Sequence, residues 1–354
     1  MQTISLCMIV KNEEEVLEQC LSSVKEACDE IIIVDTGSTD KTKEIASKFT
    51  DRIIDFKWVD DFSAARNFAF SHATMDFILW LDADDTLKKE DLDKLKALKS
   101  NLDPAIDAVS MFYHYGFDEK GNPNFIFRRN RLVKRLNQFK WHGPIHEYLE
   151  VSGNIVQSDI AVTHNRDMKQ NIPSHRNITI YENRLKKGEV FTPRDLYYYS
   201  NELRDHQKYR KAIRYYDKFL GTKKGWVEDE IKACYSKAEC YQALGEKDNE
   251  LNSLLQSLKF DWPRPEFCCK MGDFFMEKRE FETAAKWFHS ALENQKTDTG
   301  GFQNPDYTTW YPHLQLCVCY WEIRDLEKSC EHNEKAGEFR PDHPSVLSNR
   351  TLFH

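Results

Sequence analysis

Three largely apolar runs near the start of the chain, Ile4–Val10, Glu30–Val34 and Phe77–Leu81, each break off at polar residues. The breaks read Lys11-Asn12-Glu13-Glu14, Asp35-Thr36-Gly37-Ser38-Thr39-Asp40 and Asp82-Ala83-Asp84-Asp85. Apolar runs that do not alternate in and out are strands covered on both faces, the pattern of a parallel sheet. Between them, Val16, Leu17, Leu21 and Val24 fall at helical spacing within 14–25. A second helix starts after Asp40, with Ile45 and Phe49 inward. Arg52–Phe56 is a further short strand and Ala64–Ser71 a further helix. This βαβα order predicts a doubly wound α/β domain whose polar loops follow the strand C-termini, where such sheets bind ligands.

The pattern then changes. Asp107–Tyr115 and Asn124–Lys134 are strands joined by the turn sequence Asp118-Glu119-Lys120-Gly121-Asn122, and Ile155–Thr163 is one more strand. A mixed sheet closing near residue 165 gives a first domain over 1–170, with a connecting segment over 171–192. From Pro193 the chain is helical, in antiparallel pairs punctuated by Gly245, Pro263 and Pro341. Ala212, Ala238, Ala284 and Ala336 stand where neighbouring helices approach closely. The unit length suits an irregular tetratricopeptide-like array over 193–345, a plain helical bundle being the alternative. The chain's 354 residues accommodate both domains.

The net charge of −8 disfavours a nucleic-acid partner held through phosphates. The basic run Arg128–Arg135 is the one local exception, and it also reads as a solvated edge strand. No segment approaches the roughly 20 apolar residues that a bilayer crossing needs, and the first apolar run lacks a basic leader. The expected location is cytoplasmic, with no integral membrane segment. Ten cysteines include no Cys-x-x-Cys spacing, so buried reduced thiols are expected in place of a zinc site.

Asp82 and Asp84, two apart at a strand end, can face one site if the chain stays extended. Crowded carboxylates there call for a hard divalent cation whose shell is completed by diphosphate oxygens. The plainer reading is a turn in which Asp85 or Thr86 caps a following helix. Asp35 ends its strand in the same way and can accept a hydrogen bond from a base or ribose, while Asp40 fits a helix N-terminus. Neither a dinucleotide glycine fingerprint nor a P-loop is present. Arg66 offers a fork for a diphosphate, or else a salt bridge.

Four ordered segments, Cys7–Glu13, Val34–Asp40, Phe62–Asn67 and Leu81–Asp85, resemble the inverting glycosyltransferases of family 2, of the GT-A type. That resemblance implies an enzyme that binds a UDP-sugar and Mn2+ or Mg2+. Val10, Asn12, Glu13 and Asp35 would hold the nucleotide. Arg66 and Asp82 would lie at the ribose and diphosphate, and Asp84 at the metal. A family 2 domain followed by helical repeats is also similar to bacterial peptide and protein glycosyltransferases, including bacteriocin S-glycosyltransferases. The segment Trp141-His142-Gly143-Pro144-Ile145-His146-Glu147 is similar to one in enzymes that glycosylate saccharide or lipopolysaccharide-core acceptors.

The family's usual acidic pair for the base is not evident. Glu147 is the candidate base, the alternative being a structural pair with Arg128, Arg129 or Arg131. His146 and His164 are candidate metal ligands or buried structural histidines. Trp141 either stacks on a sugar or packs in the core. The expected reaction transfers a hexose or N-acetylhexosamine to Ser, Thr or Cys of a peptide or protein. A nucleotidylyltransferase and an idle scaffold are the competing classes. The repeats are expected to bind the acceptor or form a homodimer, with Tyr197, Tyr198 and Tyr199 at their entrance.

Overall fold

Strand β1 (Ile4–Val10) turns Ile4, Leu6, Met8 and Val10 to one face of a sheet and Cys7 to the other, all buried. Helices α1 (Leu17–Val24) and α4 (Lys89–Asn101) cover the first face through Leu17, Leu21, Val24, Leu92 and Leu95. Helix α3 (Phe62–Ser71) covers the second through Ala69. Each large apolar side chain buried this way contributes about 1.5–3 kcal/mol, so the unbroken apolar runs require both layers. In this computed structural model the described residues are 2–117, 121, 123–165, 175–293 and 304–353. The chain divides into two compact units, Met1–Ile172 and Pro173–His354.

In the first unit β1 lies between β2 (Glu30–Asp35) and β4 (Phe77–Trp80), parallel to both. Strand β3 (Ile53–Asp55) extends the parallel edge, and α2 (Thr42–Ala46) follows β2. The strands that follow make the sheet mixed: β5 (Asp85–Leu87), β6 (Ala108–Phe117), β7 (Pro123–Lys134) and β10 (Ile155–His164). The order is β3-β2-β1-β4-β7-β6-β10-β5, beside a separate ribbon of β8 (Trp141–His142) and β9 (Tyr148–Leu149). Apart from Gly121, the turn expected over 118–122 lies outside the described residues.

Two local expectations are corrected here. The basic run is no solvated edge, because β7 sits between β4 and β6 and Arg131 is fully buried. The chain also does not stay extended to Asp84: β4 ends at Trp80, and the Asp85 amide donates to the Asp82 carbonyl at 3.0 Å, closing a turn. Neither Asp85 nor Thr86 caps the helix that follows. Residues 85–87 instead pair antiparallel with β10, and α4 begins at Lys89.

In the second unit, helix α5 (His175–Lys186) occupies much of the segment expected as a connection. It packs on α6 (Pro193–Asp205) through Tyr181 against Tyr199, and Arg184 forks onto Asp195. Thr192 and Asp195 form a reciprocal capping box with Pro193 behind it, which fixes where α6 starts. Antiparallel pairs follow: α6 with α7 (Tyr209–Thr222), then α8 (Val227–Ala243) with α9 (Lys247–Gln256). Next come α10 (Pro265–Glu277) with α11 (Phe281–Glu293) and α12 (Trp310–Glu322) with α13 (Leu326–Phe339), then α14 (Pro344–Arg350).

Ala212, Ala238, Ala284 and Ala336 are all buried, as close helix contact requires. A Cβ on Gly272 would meet the Phe288 ring at 2.5 Å, so α10 and α11 approach through a missing side chain. Tyr197 packs on Phe219, and Tyr199 on Tyr181 and Tyr215. Both are array core, leaving only Tyr198 partly exposed. Of the long loop over 294–311, residues 294–303 lie outside the described residues. All ten cysteines are free thiols.

Candidate active site

The parallel strands β2, β1 and β4 deliver their C-terminal residues to one edge of the sheet. Antiparallel β7 runs back past that edge, with Leu132 opposite Leu79. Beyond this point Arg131 is an extra residue in the β6–β7 ladder, where Val109 faces Leu132 but Ser110 faces Asn130. Such a bulge re-aims side chains. Here it sends Arg131 under the Trp80 and Tyr113 rings, 3.9 and 4.5 Å from their centroids, to meet Asp85 at 3.0 Å.

Asp85 is fully buried and binds the turn together. It accepts from the Asp82 amide at 3.0 Å and from the Tyr113 hydroxyl at 2.8 Å. Across the β5–β10 ladder it faces His164, whose Nδ1 lies 3.1 Å from the Tyr113 hydroxyl. The same Nδ1 is 3.5 Å from Asp84 Oδ1 and 3.7 Å from Asp85 Oδ1. Burial disfavours a charged imidazole, but Asp84 and Asp85 outweigh it and push His164 up to about 9. A proton therefore supplies the positive charge that two adjacent carboxylates demand. One ligand atom from each of Asp84, Asp85 and His164 lies within 4.8 Å of the others, a donor set that fits a divalent cation. Arg131 and Tyr113 already engage Asp85, which leaves Asp84 and His164 as the more available ligands.

Arg66 organises the other side. Asp61 caps α3 by accepting from the Ala64 amide, which sets Arg66 in the second turn facing inward. Its Nη2 donates to Asp82 and its Nε to Glu147, each at 2.7 Å, and its guanidinium lies 4.7 Å from the Trp141 ring. Burial would raise the Asp82 carboxyl, but Arg66, with Arg131 behind it, holds it well below the usual carboxylate range. Asn67 and Trp141 exchange hydrogen bonds at 2.9 Å, and the Phe62 amide donates to the Pro144 carbonyl. These bonds lash the 141–147 loop to α3 and bring Glu147 into the site. Its expected structural partners were Arg128, Arg129 or Arg131; the partner found is Arg66.

At the β1–β2 end, Asp35 Oδ1 accepts from the amides of Gly37 and Ser38 at 2.9 and 2.8 Å. Gly37 adopts φ 108°, open to glycine alone at little cost. Asp35 Oδ2 is buried without a hydrogen-bond partner among the described residues. The Val10 carbonyl is taken by the Thr36 amide and hydroxyl. Asn12, at φ 55°, accepts from the Thr39 amide, and the Glu13 amide donates to Thr42. Asp40 accepts from the Thr42 amide at the start of α2.

Residues 5–152 match the glycosyl transferase family 2 profile. This chain joins a family 2 glycosyltransferase domain to a tetratricopeptide-like helical array. A TPR repeat-containing protein of Synechococcus elongatus is 40% identical over 152 residues, 43% of this chain and 36% of that protein. The SPbeta prophage-derived glycosyltransferase SunS of Bacillus subtilis is 36% identical over 149 residues, 41% of this chain and 34% of SunS. The chain thus spans about a third of the length of these curated relatives. Glucosyl-3-phosphoglycerate synthase from Mycobacterium tuberculosis, solved with Mg2+ and UDP, is 16% identical with a TM-score of 0.37. That match covers 54% of this chain and 82% of the synthase.

Within the transferase domain the structure gathers Asp82, Arg66 and Glu147 into one network and Asp84 and His164 into another. His146 stands beside Glu147 in the 141–147 loop. It sits at φ 51°, a left-handed kink between buried Ile145 and mostly buried Glu147, and is absent from the candidate metal cluster among the described residues. Trp141 is buried against Trp80 and Phe70 beneath Arg66, so it packs in the core and is not a sugar platform. Sequence reasoning missed Tyr113, named Arg131 only as a possible partner of Glu147, and gave Asp85 no role beyond a cap. The bulge and the central place of β7, which recruit them, leave no local mark in the sequence.

Proposed function

We propose that this protein is a metal-dependent, inverting glycosyltransferase that takes a hexose or N-acetylhexosamine from a UDP-sugar. The acceptor in this reading is a Ser, Thr or Cys side chain of a peptide or protein. The observation that carries it is the meeting of a Asp84–Asp85–His164 cluster with the Asp82–Arg66–Glu147 network at the ligand-binding edge of a family 2 domain. Asp84 and His164 hold Mn2+ or Mg2+, which supplies Lewis-acid stabilisation of diphosphate charge. The unpartnered Asp35 Oδ2 accepts from the base, with Val10, Asn12 and Glu13 forming the wall beside it.

Glu147 is assigned as the base. Arg66 occupies its Oε1, and its Oε2 makes no hydrogen bond among the described residues, leaving an oxygen for the acceptor proton. A carboxylate removes a hydroxyl proton only as the nucleophile attacks, since the pKa gap forbids prior ionisation. A thiol acceptor, ionising near pH 8.5, depends on it less. A peptide acceptor is supported by the stacked helix pairs of the array, which present exposed Trp226 and Trp262. The resemblance to bacteriocin glycosyltransferases points the same way. A homodimer through the array and a cytoplasmic location belong to the same reading. Among the described residues no helix is long and apolar enough to cross a membrane.

The test is incubation with a panel of UDP-sugars, with and without Mn2+, following UDP release alone and with peptides bearing Ser, Thr or Cys. Metal-stimulated release from at least one donor is expected. Absence of release from every donor refutes the reading.

A further inference from the structure

Three arginines, Arg66, Arg129 and Arg131, surround the carboxylate edge, and two of them have carboxylate partners. Arg66 spans Asp82 and Glu147, and Arg131 meets Asp85. Arg128 donates to the carbonyls of Ser110 and Ser158. Arg129 has no carboxylate or carbonyl partner among the described residues. It is no solvated surface arginine either. Its guanidinium carbon lies 5.8, 5.5 and 5.3 Å from the ring centroids of Trp80, Tyr113 and Phe127.

Arg129 and Arg131 lie over the same two rings, Trp80 and Tyr113. Arg131 is the closer and is sealed from solvent, while Arg129 lies farther out and keeps some access. Burial and then the adjacent Arg131 lower the Arg129 pKa, with Asp82 opposing them. A guanidinium in such a setting costs free energy unless an anion meets it, and ring faces offset only part of that cost. The charge of the site points to which anion. Asp82, Asp84, Asp85 and Glu147 are opposed by Arg66, Arg129 and Arg131, and the proton on His164 makes up the difference. A divalent cation in place of that proton turns the balance into an excess of one positive charge, which suits a doubly charged diphosphate diester.

We propose that Arg129 is the protein's receptor for the diphosphate of the nucleotide donor, receiving charge as the nucleoside diphosphate leaves. This rests on the transferase reading above. In the step, the bond from the acceptor oxygen or sulfur to the anomeric carbon forms as the bond from that carbon to the β-phosphate oxygen breaks. The electron pair stays on the diphosphate, and the acceptor proton passes to Glu147 or to solvent. The planar fork of Arg129 donates to two phosphate oxygens while Asp84 and His164 hold the cation beside it. Arg66, which sequence alone nominated for this contact, already gives its Nε to Glu147 and its Nη2 to Asp82, and is assigned here as a positioning residue.

The experiment is calorimetric binding of UDP, UMP and uridine to the full chain with saturating Mn2+, for wild type, Arg129→Met and Arg129→Lys, beside thermal unfolding without nucleotide. Arg129→Met is expected to weaken UDP by about ten- to a hundredfold, weaken UMP less and leave uridine unchanged. Ligand-free stability is expected to hold or rise, because an unpaired buried charge has gone. Arg129→Lys, which keeps the charge without the fork, is expected to fall between. Unchanged UDP affinity in Arg129→Met overturns the assignment, as does an equal loss for UDP and uridine. If Arg129→Met does not fold, the lysine variant decides on the same two criteria. Failure of the wild type to bind UDP, GDP, ADP, CDP or dTDP with Mn2+ overturns the transferase reading itself, and this one with it.

Discussion

Replacing Arg66 with Met keeps an aliphatic stem against Trp80 and Trp141 but removes the charge shared by Asp82 and Glu147. Two charge-assisted hydrogen bonds of 2.7 Å are lost. Each is worth about 1.5–3 kcal/mol, so the gross loss is about 3–6 kcal/mol. The Asp82 side chain is 34% exposed, so water recovers part of its share. The expected net loss is about 2–4 kcal/mol, larger than an exposed pair contributes because Glu147 is only 14% exposed. The sign with pH follows from Asp82, whose carboxyl Arg66 depresses in the folded state. Its contribution is complete above the ordinary carboxylate range and is lost as pH falls through the depressed value. The gap between wild type and variant is therefore widest near pH 7 and narrows in acid. Native-state hydrogen exchange at the Phe77–Trp80 amides reads this locally, without interference from unfolding of the helical array. A loss below about 1 kcal/mol, or a gap that does not change with pH, refutes the account of Arg66 as the bridge.

Three further outcomes are expected. Asp84→Ala and His164→Ala each lower Mn2+ affinity and reduce metal-stimulated donor turnover by about a hundredfold or more, while Asp85→Asn chiefly destabilises the domain; Mn2+ titration followed by paramagnetic relaxation separates the two effects. Glu147→Gln binds UDP and Mn2+ normally but loses most transfer to a hydroxyl acceptor, by about 10²–10⁴-fold; with a Cys acceptor, rates measured up to pH 9 show the defect shrinking. In the array, Nδ1 of His313 lies 2.9 Å from Nδ1 of His332, and burial, reinforced by neighbouring positive charge, pushes both down to about 4. The neutral pair thus stabilises the fold fully above pH 6.5, and this is lost as pH falls toward 4, on the order of 2 kcal/mol; thermal unfolding across that range is expected to flatten in His332→Asn.

Much of the scaffold was legible in the sequence. Apolar runs without alternation required strands covered on both faces. Their abrupt ends at Asp35 and Asp82 located the ligand edge, because a parallel sheet carries its strand C-termini there together. Helix pairing in the second unit followed from periodicity and from the buried small residues. These are local properties, set by which side chains fall on one face within a few residues. The turn from Asp82 to Asp85 was misjudged because extension and turn are equally open to Asp-Ala-Asp-Asp. Only the Asp85 carboxylate, held by Arg131 and Tyr113 from distant strands, decides between them.

The same contrast runs through the charged residues. From sequence alone, Arg66 is the arginine singled out for a diphosphate, Arg129 and Arg131 figure as possible partners of Glu147, and Glu147 and His146 stand side by side as candidate base and candidate metal ligand. Tertiary structure separates them. The β7 bulge buries Arg131 on Asp85 and leaves Arg129 over aromatic rings, and the lashing of the 141–147 loop to α3 carries Glu147 onto Arg66. A side chain's type sets the charge it can offer and is fixed by sequence. Whether that charge is spent within the protein or kept for a ligand depends on partners far away in the chain, which only the packed sheet brings within 3 Å of Asp85 and Glu147.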